Sequence, residues 1–145
     1  MSVRTSAGST LACSAVYPAT QDQAGYSALT YINIGEITNM GDVGKTFTVV
    51  NHSPLGTRQQ VKKKGSFNNG SMALKIGRDS SDAGQAALKT GLQSDLYYSF
   101  KLTYQDGTIN YFQALITDFK TSVGTVDQIT EVSCTLELQT EIVEA

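Results

Sequence analysis

Tryptophan is absent from this chain, histidine occurs once, and cysteine and proline occur twice each. No apolar run approaches the roughly 20 residues that a membrane-spanning helix requires. Each shortage removes a class of function. The single histidine, His52, precedes Ser53 and Pro54 in what reads as a loop, which leaves no triad or paired acid and base to build, so no enzyme is expected. Cys13 and Cys134 stand far apart, with no CxxC spacing and no flanking histidine, so neither zinc nor iron is indicated. Both read as reduced, buried thiols, with a bridge between terminal strands as the alternative. Gly35 to Gly44 is glycine-rich but lacks the Lys-Ser/Thr step into a helix that a nucleotide loop needs. Asp79, Ser80, Ser81 and Asp82 could offer oxygen ligands to calcium, yet helix capping explains the cluster without a metal. No cofactor is expected. The first residues, Met1 to Ser6, lack the charged-then-apolar layout of a signal peptide, so the expectation is a soluble protein made in the cytoplasm, with no membrane binding.

What is present is alternation. Val132, Cys134, Leu136, Leu138 and Ile142 occupy even positions, while Ser133, Thr135, Glu137, Gln139 and Glu141 occupy odd ones, which predicts one long two-faced strand. The same period of two recurs in Met72, Leu74 and Ile76 and in Tyr98, Phe100, Leu102 and Tyr104. Asn69-Gly70 and Asp106-Gly107 are the dipeptides of tight hairpin turns, so 59–67 is expected to pair with 71–77 and 97–105 with 108–119. Further strands are expected at 9–17, 33–38 and 45–51, about eight in all. Asp82 followed by Gln85 has capping-box spacing before an alanine-rich stretch ending at Gly91, which predicts a helix over 82–91, weakened by Gly84. A short helical turn is expected near 22–29. The 145 residues, 40% hydrophobic, suit one domain over 1–145 with an ordinary core. The fold class expected is mainly β: an antiparallel β-sandwich or partly open barrel with one flanking α-helix.

Charge is unevenly spread. Net charge is −2, yet Arg58, Lys62, Lys63 and Lys64 gather four of the 11 basic residues, while residues 121–145 hold Asp127, Glu131, Glu137, Glu141 and Glu144 and no base. The basic group reads as a solvated hairpin face, as a nucleic-acid patch, or as a complement to an acidic surface on a neighbouring copy. Lys62 and Lys64 would share one strand face and Lys63 the other. A strand charged on both faces cannot bury either, so residues 51–65 are expected to project as an arm.

The ordered series ALTYINIGEITNMGDVGKTFTVVNHSPLGTRQQVKKKGSFNNGSMALKIGRDSSDAGQAALKTGL, then YYSFKLTYQDGTINYFQALITDF, then TSVGTVDQITEVSCTLELQTEIVEA resembles the tail tube proteins, or major tail proteins, of long-tailed bacteriophages. The resemblance covers nearly the whole chain. It implies a fold shared with the tubes of type VI secretion and a structural virion protein made in the host bacterial cytoplasm. Such subunits form hexameric rings through intersubunit sheet pairing, and the rings stack into a hollow tail tube. The partners implied are further copies of itself, the tape-measure protein and DNA passing through the lumen, and tail-completion and baseplate proteins. Carried onto this chain, Arg58, Lys62, Lys63 and Lys64 become candidates for contacts between subunits or rings. Glu137 and Glu141 become candidates for the lumen or its rim, because a conduit that neutralised phosphates would retain its cargo.

Two rivals from other classes remain. One is a monomeric β-sandwich ligand-binding module, carbohydrate-binding or adhesin-like. Such modules present exposed aromatic platforms, whereas Tyr97, Tyr98, Tyr104 and Tyr111 read as cross-strand packing. The other is a glycosidase-like site built of carboxylates alone, for which the sequence offers no particular pair.

Overall fold

The computed structural model describes residues 3–145; Met1 and Ser2, the first two residues of the stretch inspected for a signal peptide, lie outside them. Ten strands and two helices follow in the order β1 (Thr10–Ser14), α1 (Gln23–Ser27), β2 (Ile32–Ile34), β3 (Ile37–Asn39), β4 (Thr46–His52), β5 (Val61–Asn68), β6 (Ser71–Gly77), α2 (Ala83–Leu92), β7 (Tyr98–Thr103), β8 (Ile109–Ser122), β9 (Glu131–Leu138) and β10 (Val143–Glu144). The main sheet has the strand order β2-β1-β7-β8-β9-β6-β3, with β10 added on β8, and β4 and β5 form a separate two-stranded ladder. All pairings are antiparallel. The fold is therefore the expected mainly β class. The sheet is curled but not closed into a barrel, and a second short helix, α1, joins the expected one.

Curling follows from where the apolar faces meet. Ile34 at one end of the strand order and Ile76 near the other share one core with Leu11, Phe100, Phe112 and Leu136. Seven strands laid flat would span roughly 29 Å at ~4.8 Å per gap, too far for such contact. The two edge strands are consecutive in the chain and differ by a corner of two residues, Gly35 and Glu36. Glu36 adopts φ 62, a left-handed conformation that costs a non-glycine residue of order 1 kcal/mol. Its carbonyl accepts from the Gly77 N–H at 2.8 Å, which fixes the bend. This corner is why the single strand expected at 33–38 is two, on opposite edges of the sheet.

The helix α2 begins as its capping signal predicts. Asp82 is the N-cap, and its carboxylate accepts from the Gln85 N–H at 2.9 Å and from the Gly35 N–H at 3.1 Å. Gln85 does not reach back to complete the box. Its buried amide accepts from the Asp79 N–H and donates to the carbonyls of Gly35 and Gly77, so one side chain joins the corner, the end of β6 and the helix. Gly84 belongs to this junction: a Cβ there would overlap the Asn33 carbonyl oxygen and the Ile34 Cα. A residue unfavourable for helix propensity is what lets α2 sit on β2.

The Asp106-Gly107 hairpin forms between β7 and β8, with the Gly107 N–H donating to the Tyr104 carbonyl at 3.0 Å and Gly107 at φ 91. The Asn69-Gly70 hairpin does not. β5 pairs with β4, and β6 pairs with β3 and β9, so Asn69-Gly70 passes the chain from one sheet to the other. The Asn69 amide donates to the Gln139 carbonyl and the Gly70 carbonyl accepts from the Leu138 N–H, which stitches this crossing to the end of β9. The long last strand is also shorter than its alternation suggested. β9 stops at Leu138, the Gln139 N–H donates to the Gln113 carbonyl, and the Thr140 hydroxyl accepts from the Gln113 N–H. Ile142 still packs against the core, which is why the periodicity ran on past the strand.

Candidate assembly surfaces

The β4–β5 hairpin holds the basic group of the sequence. Every residue of its two strands is exposed or half-exposed. The ladder runs from Thr46 to Asn68 with residues 53–60 as its tip, a longer span than 51–65. Near its root Phe47 stands opposite Phe67, ring centroids 5.4 Å apart. The Lys45 ammonium lies 4.8 Å from the Phe67 centroid, and the Lys64 ammonium 4.8 Å from that of Phe47. Cations on aromatic faces stiffen the root without an apolar core beneath it.

Beyond a bulge that sets Thr48 against Gly65 and Ser66, Val49 faces Lys64, Val50 faces Lys63 and Asn51 faces Lys62. Alternation therefore puts a valine and at least one lysine on each face. His52, expected in a loop, is the last residue of β4 and pairs with Val61. Arg58 lies exposed in the tip. Among the described residues, none of Arg58, Lys62, Lys63 and Lys64 has a carboxylate within salt-bridge distance.

The two candidate acids lie apart. Glu137 is on the polar phase of β9, opposite Ser71 on one side and Leu115 on the other. The same outward face carries Ser71, Ala73 and Lys75 from β6, Glu131, Ser133 and Thr135 from β9, and Asp118 and Lys120 from β8. Lys75 donates to the Ser133 hydroxyl at 2.7 Å, and the Thr135 hydroxyl donates to Asp118 at 3.0 Å. Glu141 lies past the end of β9, with its carboxylate 2.7 Å from the Lys45 ammonium.

The remaining candidates have local work. Asp79 accepts from the Ser81 N–H and hydroxyl, and these bonds hold its carboxyl below the ordinary range. Cys13 and Cys134 are free and buried, and burial pushes each thiol up to about 12. Tyr111 is buried in a stack on Tyr26, centroids 5.4 Å apart, and Tyr98 is buried in the core. Sequence reading missed a second exposed group, Val123, Val126 and Ile129 in the loop between β8 and β9. Three apolar residues within seven positions, without alternation and among polar neighbours, were the available signal.

No protein-family model and no curated protein matches the sequence. Solved structures do match its fold. A chain of the anti-feeding prophage baseplate, six-fold symmetrised, aligns with a TM-score of 0.72 at 12% identity over 100% of this chain and 97% of that one. A chain from the tail of an empty gene transfer agent particle, refined with C6 symmetry, aligns at 0.70 and 9% identity over 99% of both. The SPP1 tail tube protein aligns at 0.63 and 15% identity over 94% of this chain and 75% of that one. From its first strand to its last, this chain has the phage tail tube fold.

Proposed function

We propose that this chain is a structural virion protein of the tail, a subunit that polymerises as stacked hexameric rings into a hollow tube. The tube conducts DNA and the tape-measure protein and meets tail-completion and baseplate proteins at its ends. The observation that carries this reading is the likeness over 97% or more of both chains to components of a six-fold symmetrised baseplate and of a C6-symmetric tail.

Physical features of the protomer agree with it. The β4–β5 hairpin exposes apolar and cationic side chains together, a combination that contributes nothing to an isolated monomer and suits an interface. β3 is paired only with β6, so its other edge is free to pair with another chain. A ring needs one head-to-tail contact and a stack needs a second, axial one. Arg58, Lys62, Lys63 and Lys64 serve those contacts. The outward face of β6, β9 and β8, with Glu137 at its centre and Glu141 near its rim, is the lumen wall. Its charges are mixed and its side chains short, so it offers a polyanion no run of cations to bind. Its work is geometric and needs no catalytic group.

Negative-stain electron microscopy of the purified chain across a concentration series, beside size-exclusion chromatography, tests the reading. Hollow tubes or six-fold rings are expected; a monodisperse monomer at every concentration counts against it.

A further inference from the structure

Two projections leave the body at opposite ends of one strand pair. In the β6–β9 ladder Ser71 stands opposite Glu137 and Gly77 opposite Glu131. The β4–β5 hairpin joins β6 at Ser71 through Asn69 and Gly70, while the loop 123–130 joins β9 at Glu131. Their roots are separated by the eight residues of β9, roughly 26 Å at ~3.3 Å each.

Their surfaces are complementary. On the hairpin Val49 is 57% and Val50 52% exposed beside Lys62, Lys63 and Lys64, and no acid occurs between Asp42 and Asp79. On the loop Val126 is 100% and Ile129 79% exposed, with Val123 also exposed, beside Asp127 and Glu131. Cations stand only at the foot of the loop, where Arg78 donates its backbone N–H to the Thr130 carbonyl and its guanidinium to the Thr121 hydroxyl, and Lys120 lies on β8. The loop has its own frame: the Thr125 N–H donates to the Gln128 side chain at 3.2 Å, and the Gln128 N–H donates to the Thr125 carbonyl at 3.1 Å.

We infer that the 123–130 loop of one copy receives the β4–β5 hairpin of a second copy, Val126 and Ile129 packing on the hairpin valines while Asp127 and Glu131 face its lysines. This rests on the tube reading and adds the receiving surface to it. The contact joins different surfaces at opposite ends of the protomer, so repeating it adds copies along one axis and never closes a pair. Salt weakens its charged part and leaves the apolar part in place.

Paired cysteine variants test the contact even where association is weak, because the native thiols are buried. Val61→Cys protein is mixed with Val126→Cys protein under mild oxidation, and each is also oxidised alone. The mixture is expected to give disulfide-linked dimers about tenfold above either variant alone, the ratio of a specific contact to random collision. Equal yields overturn the inference. In a parallel assembly assay, Val126→Asp is expected to raise the concentration needed for polymer about tenfold with unchanged thermal unfolding. Polymer formed as by wild type overturns the loop contact and leaves the tube reading standing. Wild-type protein that gives neither polymer nor mixed cross-links overturns both.

Discussion

The Lys45 ammonium lies 2.7 Å from the Glu141 carboxylate, joining the residue before the hairpin's first strand to the segment after β9. Lys45 also covers the Phe67 ring, so one cation joins the C-terminal segment to the aromatic pair at the hairpin root. Both partners are partly exposed, and an ion pair in that setting contributes under about 1 kcal/mol. Glu141→Gln is expected to lower stability by less than that in urea unfolding. Lys45→Ala removes the ring contact as well, and is expected to cost more and to speed amide exchange in β4 and β5 first.

Gln85 offers the opposite case. Its amide satisfies the Asp79 N–H and the carbonyls of Gly35 and Gly77 from a buried position. Gln85→Leu keeps the volume and leaves those groups without their partner, at a cost of roughly 2–4 kcal/mol. The urea midpoint should fall accordingly, with the slope of the transition unchanged.

Gly84→Ala should reverse the usual sign of a glycine-to-alanine change in a helix. Propensity favours alanine by about 1 kcal/mol, but the added methyl meets the backbone of Asn33 and Ile34, which cannot rotate away. A net loss of roughly 1–3 kcal/mol is expected, measurable by thermal or chemical unfolding.

Alkaline pH should unfold the protein progressively. Cys13 and Cys134 ionise at about 12 when folded, against 9.0 for a free thiol, because burial opposes the thiolate. The folded state therefore holds protons that the unfolded chain releases first, so this stability is whole below pH 9 and is lost as pH rises toward 12. Burial raises Tyr26, Tyr31, Tyr98 and Tyr104 in the same direction. Melting temperature should fall above pH 9, less steeply in a Cys13→Ala, Cys134→Ala protein, and a thiol reagent at pH 8 should label neither cysteine before unfolding.

Lys62→Glu with Lys64→Glu should leave the monomer within about 0.5 kcal/mol of wild type, since both side chains are exposed. If these lysines meet acids across rings, tube yield and length should drop. Unaltered tubes would remove them from the contact.

Legibility in the sequence followed the range of the interaction. β6, β7 and β9 were readable because each alternates within itself, and the start of α2 because Asp82 and Gln85 lie three positions apart. The partner of β5 was not readable, because Asn69-Gly70 has the chemistry of a hairpin turn whichever sheet the chain enters next. The corner at Glu36 was hidden for a related reason: Ile32, Ile34 and Ile37 read as nearly one strand, and only the Gly77 and Asp82 contacts, more than 40 positions away, show the bend. The basic group stood out locally, but the receiving loop did not, since Val123, Val126 and Ile129 carry no periodicity.

The bend at Glu36 also decides how the subunit bears load. β2 and β3 lie at opposite margins of the sheet, yet only two peptide units separate them. Tension applied at the free margin of β3 reaches β1 through covalent backbone and the β2 ladder, without crossing the core. A filament built by pairing that margin would transmit force through bonds in series, and the apolar interior would be sheared last.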